Sequence, residues 1–205
     1  MTLDAVERWV AWAGAVAALV CLIAALAGIV RGLHRPRGRS TGLAWKVLTL
    51  PAYLLIGVGF FGACYLLWRP LPLPLSASAR LVALIVGALL LFPGLALVFW
   101  GRVALGEMYN VSSSVGAQLY ADHRLVTHGP FAIVRHPMYA GLIVASAGGL
   151  LTYRTWTLLF TTVSFLGLVL RARREEQALA AEFGEEWEAY RRRVPGWIPR
   201  ILRQY

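Results

Sequence analysis

Five apolar stretches constrain the fold of this chain more than any other feature. A helix of about 20 apolar residues crosses the roughly 30 Å hydrocarbon core of a bilayer. The chain is 59% apolar, whereas soluble domains are about 45–50% apolar. We therefore predict an all-α fold, a polytopic membrane helix bundle with about five transmembrane helices. The predicted spans are residues 9–30, 47–68, 81–100, 138–151 and 156–170.

The chain is predicted to divide into an N-terminal three-span membrane region, residues 1–100, and a second region, residues 101–205, in which we expect the functional site. The second region would contain a long loop, a helical hairpin made of the last two spans, and a tail helix. From Arg171 to Arg193, apolar residues recur at three- and four-residue intervals with charged residues between them. This periodicity predicts one amphipathic C-terminal helix, lying on the membrane surface or capping the bundle.

Basic residues indicate the orientation of the chain in the membrane. The net charge is +10, and the excess is explained by topology and anionic lipid headgroups, with no nucleic acid as partner. Loops 31–46 and 101–137 and the tail from residue 171 hold five, three and eight Lys or Arg residues, against four on the other side. The positive-inside rule places the N-terminus outside and the C-terminus in the cytoplasm. The Ala-, Arg- and Gly-rich composition is typical of bacteria, so we expect the inner (plasma) membrane.

The segment RHPMYAG, Arg135 to Gly141, is the first candidate site. Ionisable groups at a membrane boundary are costly and usually mark a site. Pro137 suits the first turn of a helix, and His136 would lie beside the positive end of its dipole, which favours a neutral imidazole. Gly141 permits the close approach of a ligand or a neighbouring backbone. The alternative is an interfacial anchor, with the arginine reaching lipid phosphates and Tyr139 in the headgroup belt.

Two further segments accompany this motif. Arg171 and Glu175-Glu176 follow the last span, where an acid can hold a cationic ligand or ribose hydroxyls and an arginine can hold a carboxylate bidentately. The alternative is a solvated helix face with local ion pairs. In LVTHGPF, residues 125–131, Gly-Pro predicts a turn into the fourth span. The neighbouring His123 and His128 could ligate or protonate a ligand, but lone loop histidines are more often ordinary, so neither is assigned to the site. No metal site is predicted because metal-ligand spacing is lacking.

These three segments, in this order, resemble the isoprenylcysteine carboxyl methyltransferase family of integral membrane methyltransferases, which is related to phospholipid methyltransferases. The resemblance runs from about Leu125 to Arg200. It implies S-adenosyl-L-methionine as the cofactor, bound on the cytoplasmic side, and a lipophilic small-molecule substrate that enters from the bilayer among membrane lipids. Phe131 and Tyr109 depart from the Tyr and Trp common in the family, which bears on the acceptor more than on the cofactor.

The resemblance also implies residue roles. The implied cofactor-binding residues are Gly129, Pro130, Arg135, His136, Pro137, Tyr139, Gly141, Glu175 and Glu176. The implied catalytic residues are Arg171, Glu175 and His136, and the implied substrate-binding residues are Arg171, Trp187 and Tyr190. A carboxylate acceptor is ionised at neutral pH and needs no strong base. An amine acceptor would need one, with His136 or a glutamate as candidate.

Carboxyl methylation of an isoprenylcysteine-like or other small lipophilic carboxylate is the leading hypothesis, and three others stay open. The first is a phospholipid or amine N-methyltransferase that shares the cofactor site. The second is an NADPH-dependent sterol-type membrane reductase, since such enzymes carry a similar RHPxY segment; they usually continue with an acid, whereas Leu142 follows here. The third is a non-enzymatic membrane protein that docks a partner on its cytoplasmic face.

Overall fold

A computed structural model describes residues 2–32, 35–40, 50–109 and 118–200, and these residues are mostly helical. By length and composition, three helical stretches could cross a membrane, Leu3–Gly32, Ala77–Met108 and Trp156–Phe183, while Leu54–Leu66 and Pro137–Tyr153 are shorter apolar helices. A mostly helical fold with candidate membrane spans is thus confirmed, whereas the predicted count of five spans is not. The helices are α1 (Leu3–Gly32), α2 (Leu50–Leu66), α3 (Ala77–Leu105), α4 (Pro137–Tyr153), α5 (Trp156–Phe165), α6 (Leu168–Phe183) and α7 (Glu185–Arg193).

The last span and the tail differ from the prediction. Residues 47–49 of the second predicted span lie outside the described residues. Helix α5 ends at Phe165, and α6 begins at Leu168, three residues before Arg171. The single tail helix predicted from Arg171 to Arg193 is wrong, because Gly184 has a φ of 47° and separates α6 from α7. Glycine adopts positive φ without steric penalty, so it ends helices readily.

Helices α3 and α4 pack along a seam of glycines. Gly87, Gly94 and Gly101 recur every seven residues on α3 and contact α4. A Cβ on Gly94 would lie 2.6 Å from the Ala145 nitrogen, and one on Gly148 would lie 2.4 Å from the Leu91 nitrogen. Small residues allow such close approach between membrane helices. The backbones of α3 and α4 are therefore in direct contact along this seam.

An ion cluster joins α1, α3 and α4 at one end of the bundle. Glu7 Oε2 lies 2.5 Å from Arg80 Nη2, Glu7 Oε1 lies 3.0 Å from Arg154 Nη2, and Asp4 also pairs with Arg80. The Tyr153 hydroxyl donates to the Ala11 carbonyl. The Glu7 side chain is only 13% exposed, and a carboxylate this far from water is stable only when paired. Arg80 and Arg154, two of the four arginines on the side with few basic residues, therefore pair with the start of α1.

The other end of the bundle brings together the described parts of the three segments rich in basic residues, which are loops 31–46 and 101–137 and the tail from residue 171. Strand β1 (Arg37–Ser40) pairs antiparallel with β2 (Gln118–Tyr120), a short sheet that the all-α prediction did not include. In the tail, the Pro195 and Gly196 carbonyls accept hydrogen bonds from the backbone nitrogens of Arg135 and His136 at 2.8 and 3.0 Å. The 30 residues of α1 separate the two ends by about 45 Å. The segregation of charge predicted from sequence is therefore present in the fold.

Candidate active site

The start of α4 fixes the position of the RHPMYAG motif. Pro137 is the first helical residue, where its missing N–H leaves no hydrogen bond unmade, and His136 precedes it with extended φ. Before them, a 3₁₀ turn spans Gly129–Ala132. Gly129 has a φ of 61°, and a Cβ there would lie 3.3 Å from the Ala104 Cβ, so this turn packs directly on α3. Gly129 and Pro130 thereby position the loop that leads to the motif.

Glu176 of α6 binds the motif through one oxygen. Its Oε1 lies 2.8 Å from His136 Nε2 and accepts a hydrogen bond from Arg135 Nε at 3.0 Å. Arg135 Nη1 also donates to the Val194 carbonyl at 2.6 Å and to the Arg191 carbonyl at 3.2 Å. His136 is 6% exposed. Charge-assisted bonds of this kind are about twice as strong as neutral ones, so this cluster fixes the loop to α6 and the tail.

The preceding glutamate makes a separate contact. The Tyr139 hydroxyl donates to Glu175 Oε1 at 2.5 Å. The Arg171 guanidinium lies 5.4 Å from the centre of the Tyr139 ring, and this ring is stacked on His136 with centroids 5.9 Å apart. Arg171 and Glu175 lie on one face of α6 because residues four apart on a helix are neighbours. A cation, a carboxylate and two rings therefore meet at this point.

Two adjoining cavities surround these groups. The tail cavity, about 120 Å³, extends towards the tail and is also lined by His123, Trp187 and Tyr190. The span cavity, about 140 Å³, extends along α4 and α6 and is also lined by Tyr109, Tyr139 and Arg171. Both share the residues Leu105, Phe131, Arg135, His136 and Glu175. Molecules in the two cavities would therefore meet across His136 and Glu175.

The residues implied by the resemblance fall into four groups. Arg135, His136 and Glu175 line both cavities, while Pro137, Tyr139 and Arg171 line the span cavity. Trp187 and Tyr190 line the tail cavity, so the three implied substrate-binding residues are divided between the two. Gly129, Pro130, Gly141 and Glu176 contribute to the surrounding structure: Gly141 packs against the Gly94 carbonyl, where a Cβ would lie 2.6 Å from the oxygen.

Helix α7 covers the tail cavity with buried aromatic residues. Trp187 and Tyr190 are 2% and 3% exposed, and they pack with Val194. The Tyr190 hydroxyl donates to the Phe131 carbonyl at 2.8 Å. Burial raises the pKa of Tyr190 to about 12, so the phenol stays protonated and keeps this bond at physiological pH.

His123 is the residue that sequence reasoning missed. Its ring packs between Tyr120 and Phe183, with centroids 6.1 and 6.2 Å away, and it lines the tail cavity. The Nδ1 atom is buried, and none of the described residues hydrogen-bonds to it. Burial lowers the pKa of this imidazole, which is neutral at pH 7. A buried polar atom without a partner is costly, so a ligand in the tail cavity that hydrogen-bonds to Nδ1 would remove that cost.

Comparison with known proteins points to methyltransferases. The family profile of the phospholipid methyltransferases matches residues 82–186. The protein-S-isoprenylcysteine O-methyltransferase of Schizosaccharomyces pombe is 40% identical over 94 residues, which cover 45% of this chain and 40% of that protein. The chain therefore matches less than half the length of this relative. Protein-S-isoprenylcysteine O-methyltransferase B of Arabidopsis thaliana is 27% identical over 143 residues, 60% of this chain and 73% of the relative.

A third relative carries a different acceptor in its name. Methanethiol S-methyltransferase 2 of Bradyrhizobium diazoefficiens is 26% identical over 181 residues, 82% of this chain and 69% of that protein. The fission yeast similarity is thus higher but covers a shorter segment, whereas the bacterial similarity extends over most of the chain. All three names state methyl transfer, but two name oxygen and the third names sulfur as the atom that is methylated.

Proposed function

Because this chain belongs to the phospholipid methyltransferase family, we propose that it transfers a methyl group from S-adenosylmethionine to a lipophilic acceptor. The long apolar helices identify it as an integral membrane protein. One observation supports the proposal above the others: Arg135, His136 and Glu175 line both cavities, so a donor in one and an acceptor in the other would adjoin. Alignment of two reactants is the main requirement of such a displacement.

The lining of the tail cavity matches the chemistry of the donor. S-adenosylmethionine supplies an electrophilic methyl group on a sulfonium cation. Glu175 offers a carboxylate to that cation, and Trp187 and Tyr190 offer aromatic surface, which also attracts cations. The buried His123 Nδ1 offers a hydrogen bond to a polar group of the donor. The residues present therefore match a polar, cationic nucleoside. This placement assigns Trp187 and Tyr190, implied by the resemblance as substrate-binding residues, to the donor, and leaves Pro137 and Tyr139, implied as cofactor-binding residues, in the span cavity.

The span cavity fits an acceptor carboxylate. Arg171 lines it, and a guanidinium binds a carboxylate through two parallel hydrogen bonds. An ionised carboxylate attacks a methyl group without losing a proton, so the residues need only orient it and exclude water. We propose carboxyl methylation of an isoprenylcysteine-like or other small lipophilic carboxylate, which enters from the bilayer. The catalytic set is Arg171, Glu175 and His136.

A thiol or an amine is the alternative acceptor. The similarity to a methanethiol S-methyltransferase over 82% of the chain favours a small thiol, and the family profile itself carries the name of phospholipid methylation. Either acceptor must lose a proton before or during transfer. His136, whose Nε2 contacts Glu176 at 2.8 Å, is the candidate base for this step.

The test follows the transferred methyl group. The purified protein is incubated with methyl-labelled S-adenosylmethionine and a bacterial membrane extract, and products are treated with alkali. A methyl ester releases labelled methanol, whereas thioethers and N-methyl groups keep the label. We expect alkali-labile label that is lost in Glu175→Gln. Alkali-stable label would establish the alternative acceptor, and the absence of any labelled product from wild-type protein would contradict methyl transfer.

A further inference from the structure

A third cavity lies at the basic end of the bundle, where the end of α1 meets the end of α3. It encloses about 270 Å³ and is lined by Arg31, Arg35, Arg102 and Glu107, with glycines between them. None of these residues lines the tail or span cavity. Three guanidinium groups therefore face one space outside the proposed catalytic site.

Arg102 is the most buried of the three. It is 6% exposed, and its Nε and Nη1 atoms donate to the carbonyls of Ala24 and Gly106, both at 3.0 Å. Its guanidinium lies 4.4 Å from the centre of the Tyr109 ring. A Cβ on Gly28 would lie 2.4 Å from Nη2, so this glycine is what leaves room for the guanidinium between α1 and α3.

The charges around the cavity are incompletely balanced. Arg35 pairs with Asp122 and lies 3.7 Å from the Glu107 carboxylate. All ten Asp and Glu side chains of the chain lie in the described residues, and none of them forms an ion pair with Arg31 or Arg102. A buried cation without a counter-ion is costly, and an anion in the cavity would offset that cost.

We propose that this cavity binds the phosphate group of an anionic phospholipid from the adjacent leaflet. Arginine forks match phosphate oxygens, and basic pockets between membrane helices are a common mode of headgroup binding. The lipid-facing surface of α1 next to the cavity is apolar, since Leu26 is 49% exposed and Val30 is 56% exposed. Acyl chains can lie there while the headgroup enters the cavity. This site is independent of the proposed methyl transfer.

The experiment compares Arg31→Gln with Arg192→Gln, because both remove one positive charge from an exposed arginine at the same end of the protein. Each protein is placed in nanodiscs of phosphatidylcholine with increasing phosphatidylglycerol, and bound phosphatidylglycerol is counted by native mass spectrometry. A second arm titrates inorganic phosphate into pure phosphatidylcholine nanodiscs and follows the thermal midpoint. Arg102→Gln tests the buried arginine, but loss of folding in this variant does not affect the comparison.

We expect Arg31→Gln to weaken phosphatidylglycerol retention by roughly fivefold, the effect of one basic residue near an anionic headgroup, while Arg192→Gln retains it. A phosphate-dependent rise in the midpoint that is lost in Arg31→Gln, without any lipid difference, would assign the same anion site to soluble phosphate and overturn the lipid assignment. Equal behaviour of the two variants in both arms would overturn the site. Methyl transfer is measured separately, so its failure is distinguishable from this one.

Discussion

Under the proposed function, Glu175 is the residue that contributes most to donor recognition, because it lines both cavities. In Glu175→Gln the amide keeps the shape and loses the charge. Hydrogen bonds to charged groups contribute about 1.5–3 kcal/mol, so we expect S-adenosylmethionine to bind about tenfold or more weakly. Calorimetry with S-adenosylhomocysteine distinguishes the cause, because this product has no sulfonium charge. A larger loss for S-adenosylmethionine than for S-adenosylhomocysteine assigns Glu175 to the cation.

The matched control is Tyr139→Phe, which removes the hydroxyl that donates to Glu175 and leaves the carboxylate in place. We expect this variant to retain the preference for S-adenosylmethionine over S-adenosylhomocysteine. Equal losses for both compounds in Glu175→Gln would show that this glutamate recognises the nucleoside and not the sulfonium.

His123 offers a second test at a single residue. His123→Phe keeps the ring between Tyr120 and Phe183 and removes the buried nitrogen. We expect donor affinity to fall roughly 2- to 10-fold, the contribution of one hydrogen bond. The ligand-free protein should keep or gain thermal stability, since an unsatisfied buried atom has been removed. A lower midpoint with unchanged affinity would show that His123 serves packing alone.

The same histidine makes stability depend on pH. Burial holds the pKa of His123 below its ordinary value of 6.5 in the folded protein. Below pH 6.5 the unfolded chain therefore takes up a proton that the folded chain does not, and the free energy of unfolding falls as pH falls. We expect a smaller fall in His123→Phe, measured from thermal midpoints across this pH range. Parallel curves for the two proteins would contradict this assignment.

At the residue scale, motif reading predicted which side chains meet but not what each one does there. Ionisable residues at a membrane boundary indicated Arg135, His136 and Glu175, which do line the cavities. Glu176 adjoins Glu175 in sequence, yet it binds the loop, because neighbours on a helix point in different directions. His123 was not predicted because the absence of a partner at Nδ1 depends on the packing of distant residues.

Among the elements, the α3–α4 seam is open to a direct test. Gly94→Ala places a methyl group 2.6 Å from the Ala145 nitrogen, whereas Gly59→Ala on α2 meets nothing within 4 Å. Overpacking costs about 1–3 kcal/mol, so we expect a clear fall in the thermal midpoint in detergent for Gly94→Ala and little change for Gly59→Ala. Equal thermal midpoints for the two variants would show that α3 and α4 can move apart without loss of stability.

Elements with strong periodicity could be predicted, and those decided by single residues could not. The apolar runs lie on helices, with ends shifted by a few residues where described, but the last predicted span, residues 156–170, is divided between α5 and α6. The tail looked like one helix because Gly184 breaks no hydrophobic pattern, although its positive φ breaks the backbone. Strands β1 and β2 have four and three residues, too few for an alternating pattern to be recognised.

For the whole molecule, the charge pattern predicts an N-terminus outside and a C-terminus in the cytoplasm, and labelling tests this. In a background with Cys21→Ala and Cys64→Ala, the substitutions Ser78→Cys and Glu186→Cys introduce exposed thiols in the first turn of α3 and in α7. We expect a membrane-impermeant maleimide to label intact spheroplasts only at position 78, and inverted vesicles only at position 186. The reverse pattern would place the proposed catalytic end on the outside.

The glycine seam also limits how a long hydrocarbon tail could reach the reaction centre. The backbones of α3 and α4 are in contact at Gly94 and Gly141. A polyprenyl or acyl chain therefore cannot enter between these two helices. Helix α6 also lines the span cavity. It begins after the helical path is interrupted at residues 166–167, and Leu166 in this interruption and Leu170 in α6 are both 57% exposed. An inhibitor with a long hydrocarbon tail should therefore be designed so that the tail passes between α5 and α6, at residues 166–167.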